Sequence, residues 1–191
     1  MKTALLAASA ALVLAACASS PSTTAASTGT AAAAAPAVST MREASVVLAP
    51  ASGSLVSGRL TAMPMGSGVH FTGEIGGLTP GSTHAIHIHE RGDCSAADAS
   101  SAGGHFNPAG QPHGQVGTAT HHAGDMNNLL ANAQGVARVD AHAQGVTLGG
   151  GAANDVAGLA VIVHGKADDY RSQPSGDAGP RVACGVITGK R

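Results

Sequence analysis

Ten histidines stand in a chain of 191 residues that has one tyrosine, two phenylalanines and no tryptophan. Imidazoles in such excess point to metal ligation or proton transfer. They are also clustered. His84, His87 and His89 fall within HAIHIHERGDC (84–94), while His105, His113, His121, His122 and Asp125 fall within GGHFNPAGQPHGQVGTATHHAGD (103–125). His164 closes LAVIVH (159–164). His87 and His89 are two apart, so on a strand both leave the same face and can reach one ion. His105, His113 and His122 are spaced by eight and nine residues, with Asp125 three after His122. Three imidazoles and a carboxylate are the donor set of a closed tetrahedral zinc site, and a metal would organise a loop with little apolar content of its own. The bland alternative is a solvated histidine-rich loop beside incidental strand histidines. His70 and His142 belong to no such motif and read as surface or structural residues.

The elements that must hold these groups read as short strands. ASVVLA (44–49), SLVSGRLTAM (54–63), SGVHFTGEI (67–75) and THAIHIH (83–89) follow one another with brief turns. GVARVDA (135–141), GVTLG (145–149), LAVIVH (159–164) and VACGVIT (182–188) come later. Their alternation and β-branched content, with 27 glycines at the turns and no long segment of period 3.6, predict an all-β domain. The expected fold is an eight-stranded antiparallel Greek-key sandwich or barrel, immunoglobulin-like. With aromatics at 2%, its core must come from Val, Ile, Leu and Ala. Two stretches, 91–128 and 165–180, are too long for hairpin loops and rich in Gly, His, Asp and Pro. Both follow a strand that ends in histidine, so they are expected to be functional loops.

The N-terminus reads differently. Residues 1–16 are a signal peptide: Lys2 precedes an apolar run too short to span a bilayer. Leu14-Ala15-Ala16-Cys17 resembles a bacterial lipobox, in which Cys17 is lipidated; the alternative is an ordinary signal cleaved nearby. Residues 17–43, rich in Ala, Ser and Thr, read as a flexible tether, leaving 44–191 as the folded domain. Cys94 and Cys184 remain, free to pair in an exported compartment or to stand as two buried thiols. A net charge of −1 gives no reason to expect nucleic acid or a charged membrane surface as partner.

HAIHIHERGDC, SAGGHFNP, HHAGD, VIVHGKADD and RVACGVI, in that order, resemble the signature segments of the copper–zinc superoxide dismutases. The resemblance runs over roughly 44–190 and is closest to the bacterial exported type. It implies copper ligation by His87, His89, His105 and His164, and zinc ligation by His105, His113, His122 and Asp125. His105 would be shared by the two metals and take part in proton transfer. Asp168 would hydrogen-bond one histidine from each group, Arg181 would dock the anionic substrate, and Cys94 and Cys184 would form the disulfide. His84 would make backbone contacts rather than bind metal. The implied activity is conversion of superoxide to dioxygen and hydrogen peroxide, using one copper and one zinc per subunit. The chain would be a monomer or homodimer in the periplasm or at the outer membrane, held to membrane only by the lipid on Cys17. Ala85-Ile86 replaces the usual Gly-Phe, a change expected to alter packing rather than chemistry. The 165–180 loop is short beside eukaryotic relatives and resembles the bacterial type, so the steering charges of eukaryotic enzymes cannot be transferred to it.

Overall fold

A computed structural model describes residues 37–118 and 120–189. The signal segment, Cys17 and the tether up to residue 36 lie outside the described residues. Among the described residues nine strands form: β1 (Ala44–Pro50), β2 (Ser57–Met65), β3 (Gly68–Gly76), β4 (Thr83–His84), β5 (Ile86–His89), β6 (Leu129–Leu130), β7 (Ala137–Gln144), β8 (Ala160–His164) and β9 (Arg181–Gly189). Seven pair in the order β5-β8-β9-β1-β2-β3-β7, and every ladder is antiparallel. The neighbours β5–β8, β1–β9 and β3–β7 lie far apart in sequence, as a Greek key requires.

Alternation explains how this sheet closes. Val46, Leu60, Phe71, Ile88, Val139, Val161 and Ile187, one from each of the seven strands, bury into a single apolar cluster. One face of every strand feeds the same interior, so the sheet curls into a barrel rather than lying flat. The seam is bridged by β4 and β6. Thr83 and His84 pair with Leu130 and Leu129, and Ala131 then bridges to Ala137 on β7. The core is almost wholly aliphatic, with Phe71 its one fully buried aromatic side chain among the described residues.

Two expected strands differ. Residues 83–89 break at Ala85, whose N–H donates to the carbonyl of Lys166. GVTLG (145–149) is not a strand. Its flanking Gly145 and Gly149 sit at φ of 71° and 78°, outside the extended region. Val146 and Leu148 still bury, but the backbone bonds outside any ladder: Leu148 N donates to Ser39 Oγ, and its carbonyl accepts from Thr40 N and Met41 N. Thr147 N donates to the Asn154 carbonyl, and the Asp155 carboxylate accepts from Gly149 and Gly151. The eighth stave of the barrel is the two-residue β6, directly after the 91–128 stretch expected to be loop and outside every expected strand.

Candidate metal centre

All four residues of β5 are buried, although a strand on a barrel surface normally shows one face to water. Ile86 and Ile88 face the core; His87 and His89 face outward and are covered by the two long loops. The first loop is laced to the free edge of β5. Ile88 N donates to the carbonyl of Gly124, and Phe106 N to that of Ile88. These contacts set His105 opposite His89 and Asp125 opposite His87. On the other side His87 pairs with Ile162 of β8. A register shift between Val163 and His164 places His164 opposite Arg181, the kind of bulge that re-aims a side chain.

A smaller apolar cluster of Ala51, Ala99, Ala102, Ala160, Ile162 and Cys184 packs under the first loop. Here the Cys94–Cys184 disulfide, with Cα atoms 5.7 Å apart, ties the loop to β9 across 90 residues. Arg181 follows from this tie. Its guanidinium donates to the carbonyls of Ala99 and Gly103, both at 2.6 Å, in the anchored loop.

The structure brings the expected histidines together in two groups sharing one member. His87, His89, His105 and His164 form one; His105, His113, His122 and Asp125 form the other; ligand atoms within each lie within 4.8 Å of one another. The His87 and His105 ring centroids are 4.0 Å apart. In the first group each imidazole leaves one buried nitrogen without a protein partner: His87 Nδ1, His89 Nε2, His105 Nε2 and His164 Nε2. An unpaired buried polar atom costs about 1–3 kcal/mol, so four in one cluster are the mark of an ion-binding site. Their opposite nitrogens are engaged. His87 Nε2 lies 2.9 Å from Asp168 Oδ2, His89 Nδ1 lies 2.9 Å from the Gly103 carbonyl, and His164 Nδ1 lies 3.4 Å from that of Gly179. Four imidazole nitrogens suit copper in both common oxidation states.

In the second group Asp125 Oδ1 lies 2.8, 3.0 and 3.4 Å from the Nδ1 atoms of His105, His113 and His122. Four ligands at about 2.0–2.1 Å from a tetrahedral zinc would stand roughly 3.3–3.4 Å apart, so the donors need only small shifts to hold one. Asp125 Oδ2 accepts from the backbone N–H groups of Gly114 and His122. Asp168 joins the groups: its Oδ1 lies 2.9 Å from His113 Nε2 and its Oδ2 at the same distance from His87 Nε2.

Electrostatics favour ligation. Burial, with the neighbouring imidazoles, lowers His89 to about 2, His164 to about 3 and His105 to about 4, so all three are neutral at pH 7. Burial disfavours charge on Asp125 and Asp168, but hydrogen bonds from the histidines outweigh it and hold both well below the usual carboxylate range. His113 is opposed by burial yet raised to about 9 by its bonds to Asp125 and Asp168.

The remaining histidines stay out. His84 Nδ1 donates to the carbonyl of His164, His121 Nδ1 donates to that of His122, and His70 pairs with Asp140 on the outer sheet face. Several contributors carry no sequence signal. The Gly103 carbonyl is backbone, and Asn128 and Gln173 act through side-chain amides on backbone groups.

A Greek-key barrel that sets three strand histidines against three histidines and an aspartate of one long loop has the donors to hold two metal ions. A protein-family model described as "Copper/zinc superoxide dismutase (SODC)" matches residues 56–187. "Superoxide dismutase [Cu-Zn] 2" of Aquifex aeolicus (strain VF5) is 42% identical over 135 residues, 69% of this chain and 79% of the relative. "Superoxide dismutase [Cu-Zn]" of Caulobacter vibrioides is 40% identical over 136 residues, 69% of this chain and 78% of the relative. Among solved structures, a SOD-like protein from Bacillus subtilis aligns with TM-score 0.68 at 35% identity, covering 75% of this chain and 97% of that one. The clock protein EA4 aligns with TM-score 0.70 at 34% identity, covering 81% and 98%. The chain belongs to the copper/zinc superoxide dismutase family. It is a bacterial-type enzyme that dismutates superoxide with copper and zinc as cofactors.

Proposed function

We propose that this site carries out dismutation through the residue roles that follow, and that it does so in the cell envelope. Two superoxide ions and two protons become one dioxygen and one hydrogen peroxide. His87, His89, His105 and His164 hold copper; His105, His113, His122 and Asp125 hold zinc. Bound copper supplies a one-electron Cu(II)/Cu(I) couple, and zinc supplies a redox-silent charge.

The chain's own residues do the rest. A cavity of about 460 Å³ opens beside His89, His105 and His164 and is also lined by Asn107, Ser175 and Arg181. Among the described residues Arg181 is the one permanent cation lining it, so it draws in the small anion and orients it. Burial draws the guanidinium down from its ordinary value, with Asp98 opposing, and it stays charged at any physiological pH. His105 Nε2, buried and without a protein partner, is the nitrogen that would hold copper; only when released from the metal is its lone pair free to take up a proton and return it to the reduced product. Asp168 orients His87 and His113, and Gly103 orients His89.

The observation that carries this reading is the convergence of four unpartnered buried imidazole nitrogens on one side of His105 and a three-nitrogen, one-carboxylate group on the other. Residues 44–191, loaded with copper and zinc, are expected to bind one of each and to consume superoxide, with turnover lost on copper removal. Full loading without turnover overturns it.

Export supports the envelope setting. The Cys94–Cys184 disulfide fits an oxidising compartment, and among the described residues no helix is long and apolar enough to cross a membrane. A lipid on Cys17 would hold the domain at the membrane through the 17–43 tether, at the outer membrane or within the periplasm, and there the enzyme removes superoxide that cannot cross the bilayer. Oligomeric state, monomer or homodimer, is an expectation of the same reading.

A further inference from the structure

The first long loop owes little to the sheet around His113. Among the described residues, the backbone of 111–121 makes no backbone–backbone hydrogen bond to any other segment. Side chains hold it instead: within the first loop Asn107 clasps the Gln111 backbone and Asp125 accepts from Gly114 N, while the hold on the His113 backbone itself comes from the second loop. Gln173 Oε1 accepts from His113 N, and Gln173 Nε2 donates to His113 O, both at 2.9 Å. This two-way amide clasp fixes the orientation of the glutamine amide, because flipping it would set donor against donor and acceptor against acceptor.

His113 is thereby fixed at both ends. Its backbone is gripped by Gln173, and its Nε2 by Asp168. The same segment covers that second bond. Gly176 stands at φ 69° against it, and a Cβ there would overlap the Asp168 carboxylate and crowd His113 Nε2. A matching clasp runs in the opposite direction. Asn128 of the first loop donates to the Asp168 carbonyl and accepts from Asp168 N, both at 2.9 Å. Each loop thus holds, through one side-chain amide, the backbone of the residue that the other loop contributes to the shared hydrogen bond.

We propose that Gln173 is a positioning residue for zinc, a latch that sets how fast the metal leaves. The inference rests on the reading of His105, His113, His122 and Asp125 as the zinc group. Zinc departs when His113 swings away from the other three donors. Asp168 and Asp125 hold the His113 ring, and Asn107 and Asp125 hold the backbone of Gln111 and Gly114 on either side, so among the described residues the Gln173 clasp is the grip on the His113 backbone itself that keeps the residue from swinging outward. Gln173 is exposed, and its side-chain amide bonds the His113 backbone and, at 3.3 Å, the Arg171 carbonyl of its own loop, so its effect on the zinc group passes through the His113 backbone.

The test uses the copper- and zinc-loaded full domain and three variants, Q173L, Q173E and S172A. Zinc release into excess chelator is followed with a coloured zinc indicator, and Co(II) placed at the zinc group reports ligand geometry through its visible bands. Partners outside the ligand shell commonly change metal affinity by about 10–100-fold, so Q173L is expected to release zinc roughly tenfold faster and to shift the Co(II) bands. Q173E keeps the acceptor for His113 N and loses the donor to His113 O, so its release rate is expected to fall between. S172A loses a hydroxyl bond to Asp169 in the same loop without touching His113, and is expected to match the parent. Release from Q173L at the parent rate, or an equal acceleration in S172A, overturns the latch. Failure of the parent to take up a second metal beside copper would instead overturn the zinc reading, and the latch with it.

Discussion

Arg181 and His89 share one acceptor. The guanidinium Nη2 donates to the Gly103 carbonyl at 2.6 Å, and His89 Nδ1 lies 2.9 Å from the same oxygen. The cation proposed to meet the substrate and an imidazole of the proposed copper group are thus set by a single backbone atom, and that atom belongs to the loop stapled by Cys94–Cys184. Arg181→Ala is expected to lower kcat/KM by about tenfold or more and to flatten its dependence on ionic strength, since focused charge raises anion capture by roughly 10–1,000-fold. Arg181→Lys keeps the charge but cannot span the Ala99 and Gly103 carbonyls, so it should recover the salt dependence and only part of the rate. Stopped-flow superoxide decay over a salt series checks both; an unchanged salt slope in the alanine variant would remove Arg181 from substrate capture.

Asp168 couples the two groups through opposite oxygens of one carboxylate. Asp168→Asn offers one acceptor and one N–H₂ donor where two acceptors are needed, so one of His87 and His113 must lose its orienting bond. Affinity at the corresponding metal is expected to fall about 10–100-fold. Chelator competition with separate copper and zinc readouts will show which partner keeps the oxygen. Equal affinity at both metals contradicts the coupling.

The disulfide carries both stability and geometry. A loop of about 90 residues is worth roughly 4–5 kcal/mol in the chain-entropy model, though measured bridges often give less. Cys184→Ser is expected to lower the thermal midpoint clearly and also to reduce turnover, because Ala99 and Gly103 no longer hold Arg181 firmly. A stability loss with full activity would separate the staple from the arginine.

Much of this site was legible in the residues because metal chemistry restricts donor types. His87 and His89 on one strand face, and His105, His113, His122 and Asp125 in one loop, are a pattern few other needs produce. The supports were not legible. Gly103 and Ala99 act through carbonyls, which every residue owns, and Gln173 and Asn128 grip backbone, which imposes no spacing rule. The barrel followed from alternation, but 145–149 imitated a strand because Val146 and Leu148 bury with the right period while glycines bend the chain out of the ladder. β6 hid for the opposite reason: two residues pair, and two residues have no period.

Attachment through Cys17 is expected to be separable from catalysis. Cys17→Ser should move the protein from the membrane to the soluble fraction of cells and abolish labelling by a fatty-acid analogue, while the purified domain keeps its specific activity. Membrane recovery unchanged by the substitution would rule out the lipid anchor.

The buried histidines make acid lability a property of the metal-free protein. His89, His105 and His164 are held at about 2, 4 and 3, against about 6.5 for an unfolded histidine. Between pH 6.5 and 4 the unfolded chain therefore binds protons that the fold refuses, and stability is lost as pH falls. Each such proton contributes a slope of about 1.4 kcal/mol per pH unit. Asp125 and Asp168, both depressed, add to the loss below the ordinary carboxylate range. His113 works in reverse. Raised to about 9, it contributes stability that is complete below pH 6.5 and lost as pH climbs toward 9. The metal-free domain is thus expected to be most resistant to urea near pH 6.5, with a steep fall toward pH 4.5 and a shallower one toward pH 9. Bound metals occupy the same nitrogens and should flatten the profile until protons compete them off. Urea midpoints across that range, with and without metals, test it; a metal-free midpoint that does not change with pH would mean these imidazoles are not buried as neutral groups.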